Sequence, residues 1–271
     1  MKSILLLFIS LFYLQVSTLE DCYLLYNQGK FQDTIDGCTS LIEKDANCTE
    51  CYLLRGLAAK HKSEFKLAEK DFLQVINNYK SATTSNDSNY YYSHRYLGDV
   101  YGETGRYDDA LSYYRKYIKF IGNDYTAYFN ICALHFIKED FDSVSHYAFE
   151  AYKVDSLDFE IVFNCGQVML NSKLYVEAAF YYNKLLNISV DYRAYLGLGI
   201  IALKYGENDI ANYNFKKVFT LTNNDPNAFY FYSLLKLSEG DTVAFCENMD
   251  KAISIGYNGY MPEHYTICNK K

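Results

Sequence analysis

Apolar and small residues recur along this chain at the three-and-four spacing of helices, and the helices come in pairs. The stretch LGDVYGETGRYDDALSYYRKYI, residues 97–118, shows the pattern most clearly. Leu97, Gly98 and Tyr101 share one helical face; Ala110, Tyr114 and Tyr117 share another. The spacing predicts one helix over 91–102 and a second over 108–121. Gly105 falls at the turn between them, where a C-cap glycine adopts positive φ at low cost. Gly98 carries no side chain, so the second helix can approach closely there.

The pair is repeated. An aromatic residue three positions before a small one occurs as Phe31/Thr34, Phe65/Ala68, Tyr107/Ala110, Phe141/Val144 and Tyr175/Ala178, with weaker echoes centred on Ala211 and Phe245. The intervals between the second members are 34, 42, 34, 34, 33 and 34 residues. A register so constant marks an internal repeat. The single long interval holds an extra polar segment, residues 83–90, which reads as a loop. Seven units are expected, starting near 15, 49, 91, 125, 159, 192 and 226, with the first and last atypical. Only two Pro occur in 271 residues, which suits long helices.

Composition narrows the function. The formal net charge is −7, which argues against nucleic-acid binding, since that needs a basic footprint. Lys2 followed by the apolar run 4–14 and then small polar residues has the layout of a signal peptide, with Val16 and Thr18 at the −3 and −1 positions. The run is short for a membrane span. A lipid anchor at Cys22 is disfavoured, because Glu20 and Asp21 stand where small residues would be needed. Export is therefore expected, with residues 1–18 as signal peptide and the mature chain in the periplasm, the envelope or outside the cell. After its removal no membrane span is expected.

The repeat residues carry a resemblance. The chain resembles tetratricopeptide-repeat proteins of the exported bacterial type, built from helix-turn-helix units of about 34 residues. The matching residues are Leu97, Gly98 and Tyr101 with Ala110, Tyr114 and Tyr117. Gly56, Ala68, Phe72 and Val75 match in the second unit. Gly166, Ala178, Tyr182 and Leu185 match in the fifth, and Gly199, Ala211, Phe215 and Val218 in the sixth. Departures include Thr34, Cys132, Val144 and Phe245 at small positions. The resemblance implies an all-α, right-handed superhelical solenoid of antiparallel helix pairs over residues 19–256. Residues 257–271, which follow the helix end DKAISIG at 250–256, resemble a closing segment that caps the exposed end of a solenoid.

Eight cysteines in an exported chain favour disulfides. In the family's register Cys22 and Cys38 face each other across a helix pair, and Cys246 and Cys268 would fasten the last helix. Cys132 and Cys165 read as small core residues. Cys48 and Cys51 form a CxxC at a helix start, a setting that lowers a thiolate pKa. No strand–helix–strand pattern surrounds it, and His61 alone does not complete a zinc site. A structural disulfide is the expectation, and a thiol-redox or metal-linked role is the alternative. The pairing Cys22–Cys38 with Cys48–Cys51 is one of three that four cysteines allow.

No other chemistry emerges. The glycines of GLGIIA, residues 197–202, fall inside a repeat helix rather than after a strand, so a dinucleotide site is not expected. Asp108 and Asp109 open a helix, where acids suit the dipole. Asn47, Asn86 and Asn187 begin glycosylation-type triplets. No catalytic residue, metal site or cofactor is expected, and the protein is not expected to be an enzyme.

What remains is binding. The resemblance implies a concave groove lined by the first helix of each unit. Carried over, its residues are Tyr92, Arg95, Asp99, Phe129, Asn130, Phe136, Phe163, Asn164, Gln167 and Tyr230, with Ala133, Ile137, Glu160, Arg193, Leu196 and Ile200 beside them. Capture of a C-terminal carboxylate is disfavoured by Asp99 and Glu160. A peptide or helix of a partner protein with apolar anchors is the expected ligand. A carbohydrate-binding envelope module is the further alternative.

Overall fold

The computed structural model describes residues 18–80, 88–259 and 262–268. The expected signal peptide, apart from Thr18, lies outside the described residues, as do positions 83–87 of the expected loop. Every regular element among the described residues is a helix. The chain forms two compact units, Met1–Gly122 and Asn123–Lys271.

The first unit holds three helix pairs: α1 (Leu19–Asn27) with α2 (Phe31–Lys44), α3 (Thr49–His61) with α4 (Phe65–Lys80), and α5 (Ser88–Glu103) with α6 (Tyr107–Ile121). The second holds four: α7 (Tyr125–Ile137) with α8 (Phe141–Val154), α9 (Phe159–Asn171) with α10 (Tyr175–Ile188), α11 (Tyr192–Tyr205) with α12 (Asn208–Leu221), and α13 (Pro226–Ser238) with α14 (Thr242–Ser254). A short α15 (Pro262–Ile267) follows.

One turn is used seven times. Gly29, Ser63, Gly105, Glu139, Lys173, Gly206 and Gly240 all have positive φ, between 57° and 82°. The next residue in each case donates its N–H five residues back, from Lys30 to Leu25 O, Arg106 to Tyr101 O, and so on to Asp241 to Lys236 O, at 2.8–3.0 Å. This is the hydrogen bond that closes a helix C-terminus of the Schellman type. It satisfies a carbonyl that the ended helix would leave open, and it aims the chain back along the first helix.

Packing between the paired helices follows a second rule. A Cβ added at Gly56, Gly98, Gly166 or Gly199 would meet the ring of Phe72, Tyr114, Tyr182 or Phe215 at 2.8–2.9 Å. The ring therefore lies on bare backbone, and each of the four rings is buried. Burying one such side chain is worth about 1.5–3 kcal/mol. Gly197 serves the same purpose from the next pair: its Cβ would sit 2.3 Å from the Tyr182 ring. Both glycines of GLGIIA are thus accounted for by packing.

Some details depart from the expected pattern. Helix α5 begins at Ser88, so Ser88, Asn89 and Tyr90 form its first turn instead of ending a loop. Tyr90 packs edge-on against Tyr79, His94 and Phe120, with centroids 4.9–6.0 Å apart, and these contacts reward three more helical residues. Thr18, the last residue of the expected signal peptide, is the N-cap of α1. Its Oγ1 accepts from Asp21 N at 3.2 Å, and its own N–H donates to the Asp21 carboxylate at 3.0 Å. In the first unit a buried ion pair joins α3 to α4, and its arginine also reaches α2 of the preceding pair. Arg55 donates twice to Asp71, 2.8 Å each, and once to Thr39 at 3.0 Å. Burial pushes the Asp71 carboxyl above the usual range, and the Arg55 guanidinium opposes that shift.

At the end of the chain, Phe245 and Met249 are buried beneath Tyr230, Tyr257, Ile267 and Cys268. A disulfide joins Cys246 to Cys268. His264 of α15 is bonded to Asp250 of α14 at 2.8 Å. No helix among the described residues is long and apolar enough to cross a membrane.

Candidate functional site

The first helices of the second unit present two clefts. The smaller, about 470 Å³, is lined by Phe129, Cys132, Ala133 and Phe136 of α7 and by Val168 and Asn171 of α9. Its walls are almost wholly apolar. The larger, about 590 Å³, lies along α9, α11 and α13. Phe163, Leu170, Leu196, Ile200 and Phe231 supply its apolar surface. Gln167, Asn171, Arg193, Lys204, Asp225 and Asn227 supply polar groups, the Asp225 carboxylate being spent on capping α13. Asn171 borders both clefts.

The helical period puts these residues together. Phe163, Gln167, Leu170 and Asn171 recur at three- and four-residue steps along α9. The opposite stripe of α9, with Ile161, Val162, Cys165 and Met169, is buried. Asp158 caps the helix, accepting from Ile161 N at 2.9 Å, and fixes where its first turn begins.

Electrostatics divide the larger cleft. Arg193 lies over two stacked rings, 4.4 Å from the Phe159 centroid and 4.6 Å from that of Phe163. Its charge is met by Asp191 at 3.1 Å and Glu160 at 3.4 Å. Those bonds, Asp191 first, raise its pKa further. Arg193 is therefore a wall of the cleft, stiffened by its partners. Lys204 is exposed, and no acid among the described residues pairs with it. Tyr182 donates to Gln167 at 3.1 Å, which orients the amide. Burial raises the Tyr182 phenol well above its ordinary pKa, so it remains a donor. The arrangement offers apolar pockets, amide groups that bond a peptide backbone, and one unpaired cation. No nucleophile sits beside a base in either cleft, and no three metal-ligating side chains converge among the described residues.

The expected groove residues fare differently. Phe129, Phe136, Phe163 and Gln167 line the clefts; Asn130 and Asn164 are half-buried on the same helices but line neither. Tyr230 is stacked face to face on Tyr257, centroids 4.3 Å apart. The closing segment covers it, so it belongs to the cap rather than to a groove. In the first unit Asp99 accepts from Lys60 at 2.5 Å and from Tyr114 at 2.6 Å. Its carboxylate is committed to holding α3, α5 and α6. Arg95 lies over the rings of Tyr92 and Tyr96 at 5.7 and 5.0 Å, and Tyr92 is exposed. Leu170, Asn171 and Lys204 are cleft residues missed by sequence reasoning. They stand 34, 34 and 67 residues after Phe136, Ile137 and Ile137, so the repeat register itself pointed to them.

The cysteines also differ from expectation in one respect. Cys48–Cys51 and Cys246–Cys268 are bonded. Cys22 and Cys38 are free, buried thiols that pack with Leu54. They do face each other across α1 and α2. Burial pushes the pKa of both thiols up. Cys132 and Cys165 are free and buried too, donating to Val144 O and Ala148 O.

No family model matches the chain, and no curated protein matches it. Solved structures do. The C-terminal part of a tetratricopeptide-repeat-containing protein from Cytophaga hutchinsonii superposes with a TM-score of 0.72 at 16% identity, covering 88% of this chain and 95% of that one. A tetratricopeptide repeat protein from Parabacteroides merdae gives 0.60 at 16% identity, with 89% and 92% covered. Pseudomonas aeruginosa pilF gives 0.56 at 12% identity, with 79% and 95% covered. The fold of this chain is the tetratricopeptide-repeat solenoid, an all-α stack of antiparallel helix pairs.

Proposed function

We propose that the protein is a non-enzymatic scaffold that binds a peptide or helix of a protein partner in the clefts of its second unit. The observation that carries this reading is the pair of clefts meeting at Asn171, where apolar walls alternate with amides and one unpaired Lys. Such a surface suits an amphipathic segment with two or three apolar anchors. The net charge of −7 supports a protein rather than a nucleic acid as partner. The apolar run 4–14 and the two disulfides support a site of action in the cell envelope or outside the cell.

The test uses the full chain in its native host. A photo-reactive residue at position 171, between the clefts, is expected to trap a defined partner. The same group at position 180 on α10, outside both clefts, is expected to trap none. Phe129→Ala with Phe163→Ala should reduce recovery at least tenfold while the circular dichroism spectrum is unchanged. Undiminished recovery with the double variant would sink the groove reading.

A further inference from the structure

We infer that Cys48–Cys51 is a thiol–disulfide exchange site, a second activity independent of the clefts. Four sister helices show why. The residue before α7, α9, α11 and α13 is Asp124, Asp158, Asp191 and Asp225. Each carboxylate accepts from backbone N–H groups of its helix, at 2.9 Å from Thr126, Ile161 and Ala228 and 2.8 Å from Arg193. The fold thus places an anion at this position again and again, against the positive end of the helix. At α3 the same position holds Cys48, and no side chain caps the helix. While its sulfur is bonded to Cys51, Cys48 cannot be that anion. Reduction releases a thiolate at the place where the sister repeats keep a carboxylate. The reduced form gains a cap that the disulfide lacks, and a stabilised reduced form makes an oxidising disulfide.

Burial supplies the asymmetry that exchange needs. Cys48 is half-exposed and Cys51 is fully buried, so an incoming thiolate reaches Cys48 first. The charged and titratable neighbours are Asp45 and Glu50 along the chain and Tyr23 of α1, which faces Glu50; Asn78 of α4 donates to Thr49. The two acids limit the fall in the thiol's pKa, and the helix terminus drives it. The other disulfide has no such setting. Cys246 lies inside α14 and Cys268 follows the end of α15, so that bond is a clasp.

The co-reactant is a dithiol on a partner chain. One of its thiolates attacks the Cys48 sulfur, the Cys48–Cys51 bond breaks, and Cys51 leaves with the electron pair and takes up a proton. The partner's second thiolate then attacks its own sulfur in the mixed disulfide and expels Cys48 as a thiolate. The partner gains a disulfide and loses two electrons, and this chain gains them as the Cys48 thiolate and the Cys51 thiol.

The two disulfides of one molecule can be compared directly. The full chain is equilibrated in glutathione buffers and each pair is followed by alkylation and peptide mass spectrometry. Cys48–Cys51 is expected to open at a ratio at least tenfold more oxidising than Cys246–Cys268 requires. In the reduced protein, alkylation of Cys48 should show a midpoint at least about 1 pH unit below the ordinary thiol value of about 8.5. Cys48→Asp should melt higher than Cys48→Ala under reducing conditions, because it restores the sister cap and alanine cannot. A Cys48 midpoint at or above the ordinary value, a Cys48–Cys51 bond that stays closed where Cys246–Cys268 opens, or equal melting of the two variants would each overturn the assignment.

Discussion

At the scale of single residues, the paired helices conserve volume rather than residue type. Where the first helix has Gly, the second answers with a ring: Gly56 with Phe72, Gly98 with Tyr114, Gly166 with Tyr182, Gly199 with Phe215. Where it has Cys132, the second has Ala148, whose carbonyl side packs near Cys165. Where it has Ser233, the second has Met249, 4.0 Å from the hydroxyl. All these pairs are sixteen residues apart. The small position is thus occupied from either helix, and close packing makes the two choices interdependent. Ala148→Tyr alone should destabilise the second unit by about 1–3 kcal/mol through overpacking. Adding Cys132→Gly should recover at least about 1 kcal/mol of that loss. Urea unfolding of the two single variants and the double variant closes the cycle; strict additivity would refute the complementarity.

At the scale of elements, the seven turns share one backbone conformation but not one residue. Four have Gly at the positive-φ position, while Ser63, Glu139 and Lys173 hold it with a side chain. A Cβ in the left-handed region costs about 1–2 kcal/mol, and glycine's extra freedom in the unfolded chain takes back roughly 0.5–1 kcal/mol. Glu139→Gly and Lys173→Gly should therefore each stabilise by about 0.5–1 kcal/mol. Gly105→Ala should destabilise by about 1 kcal/mol, although nothing lies within 4 Å of the added Cβ. Thermal and urea midpoints of these three variants decide the matter. A loss of stability in the two glycine variants would mean that Glu139 and Lys173 contribute contacts that outweigh their strain. Gly105 marked its turn in the sequence because glycine is the common solution. Glu139 and Lys173 gave no such mark, and only the register located them.

At the scale of the molecule, the second unit buries several groups that must remain protonated. Burial pushes the Cys132 thiol up to about 12 and raises Cys165, Tyr181 and Tyr182 as well. A group whose pKa is raised on folding binds its proton more tightly in the folded state. The stability this confers is complete below the unfolded thiol's value of about 8.5 and is lost as pH climbs towards 12. The urea midpoint of the second unit should accordingly fall steadily between pH 8.5 and 11. Cys132→Val should flatten that fall by one proton's share. A pH-independent midpoint over this range would show that these groups ionise without unfolding. The same burial predicts that Cys132 and Cys165 resist thiol reagents at pH 8 in the native protein.

The sequence by itself determined the frame. Period, helix pairing, the close approach at Gly98 and the turn at Gly105 all depend on residues within one repeat, so a local pattern records them. It also singled out Phe129, Phe136, Phe163 and Gln167, which line the two clefts, because first-helix positions recur with the same period. What only the tertiary structure decided is how each of those side chains is spent. Asp99 is bound to Lys60, thirty-nine residues earlier; Tyr230 is covered by Tyr257; Cys22 and Cys38 lie together as buried thiols. These outcomes depend on neighbours that no repeat specifies, brought within 2.5–5 Å by stacking. A period can show that a side chain faces a groove. The unrepeated residues around it decide whether it is free to bind.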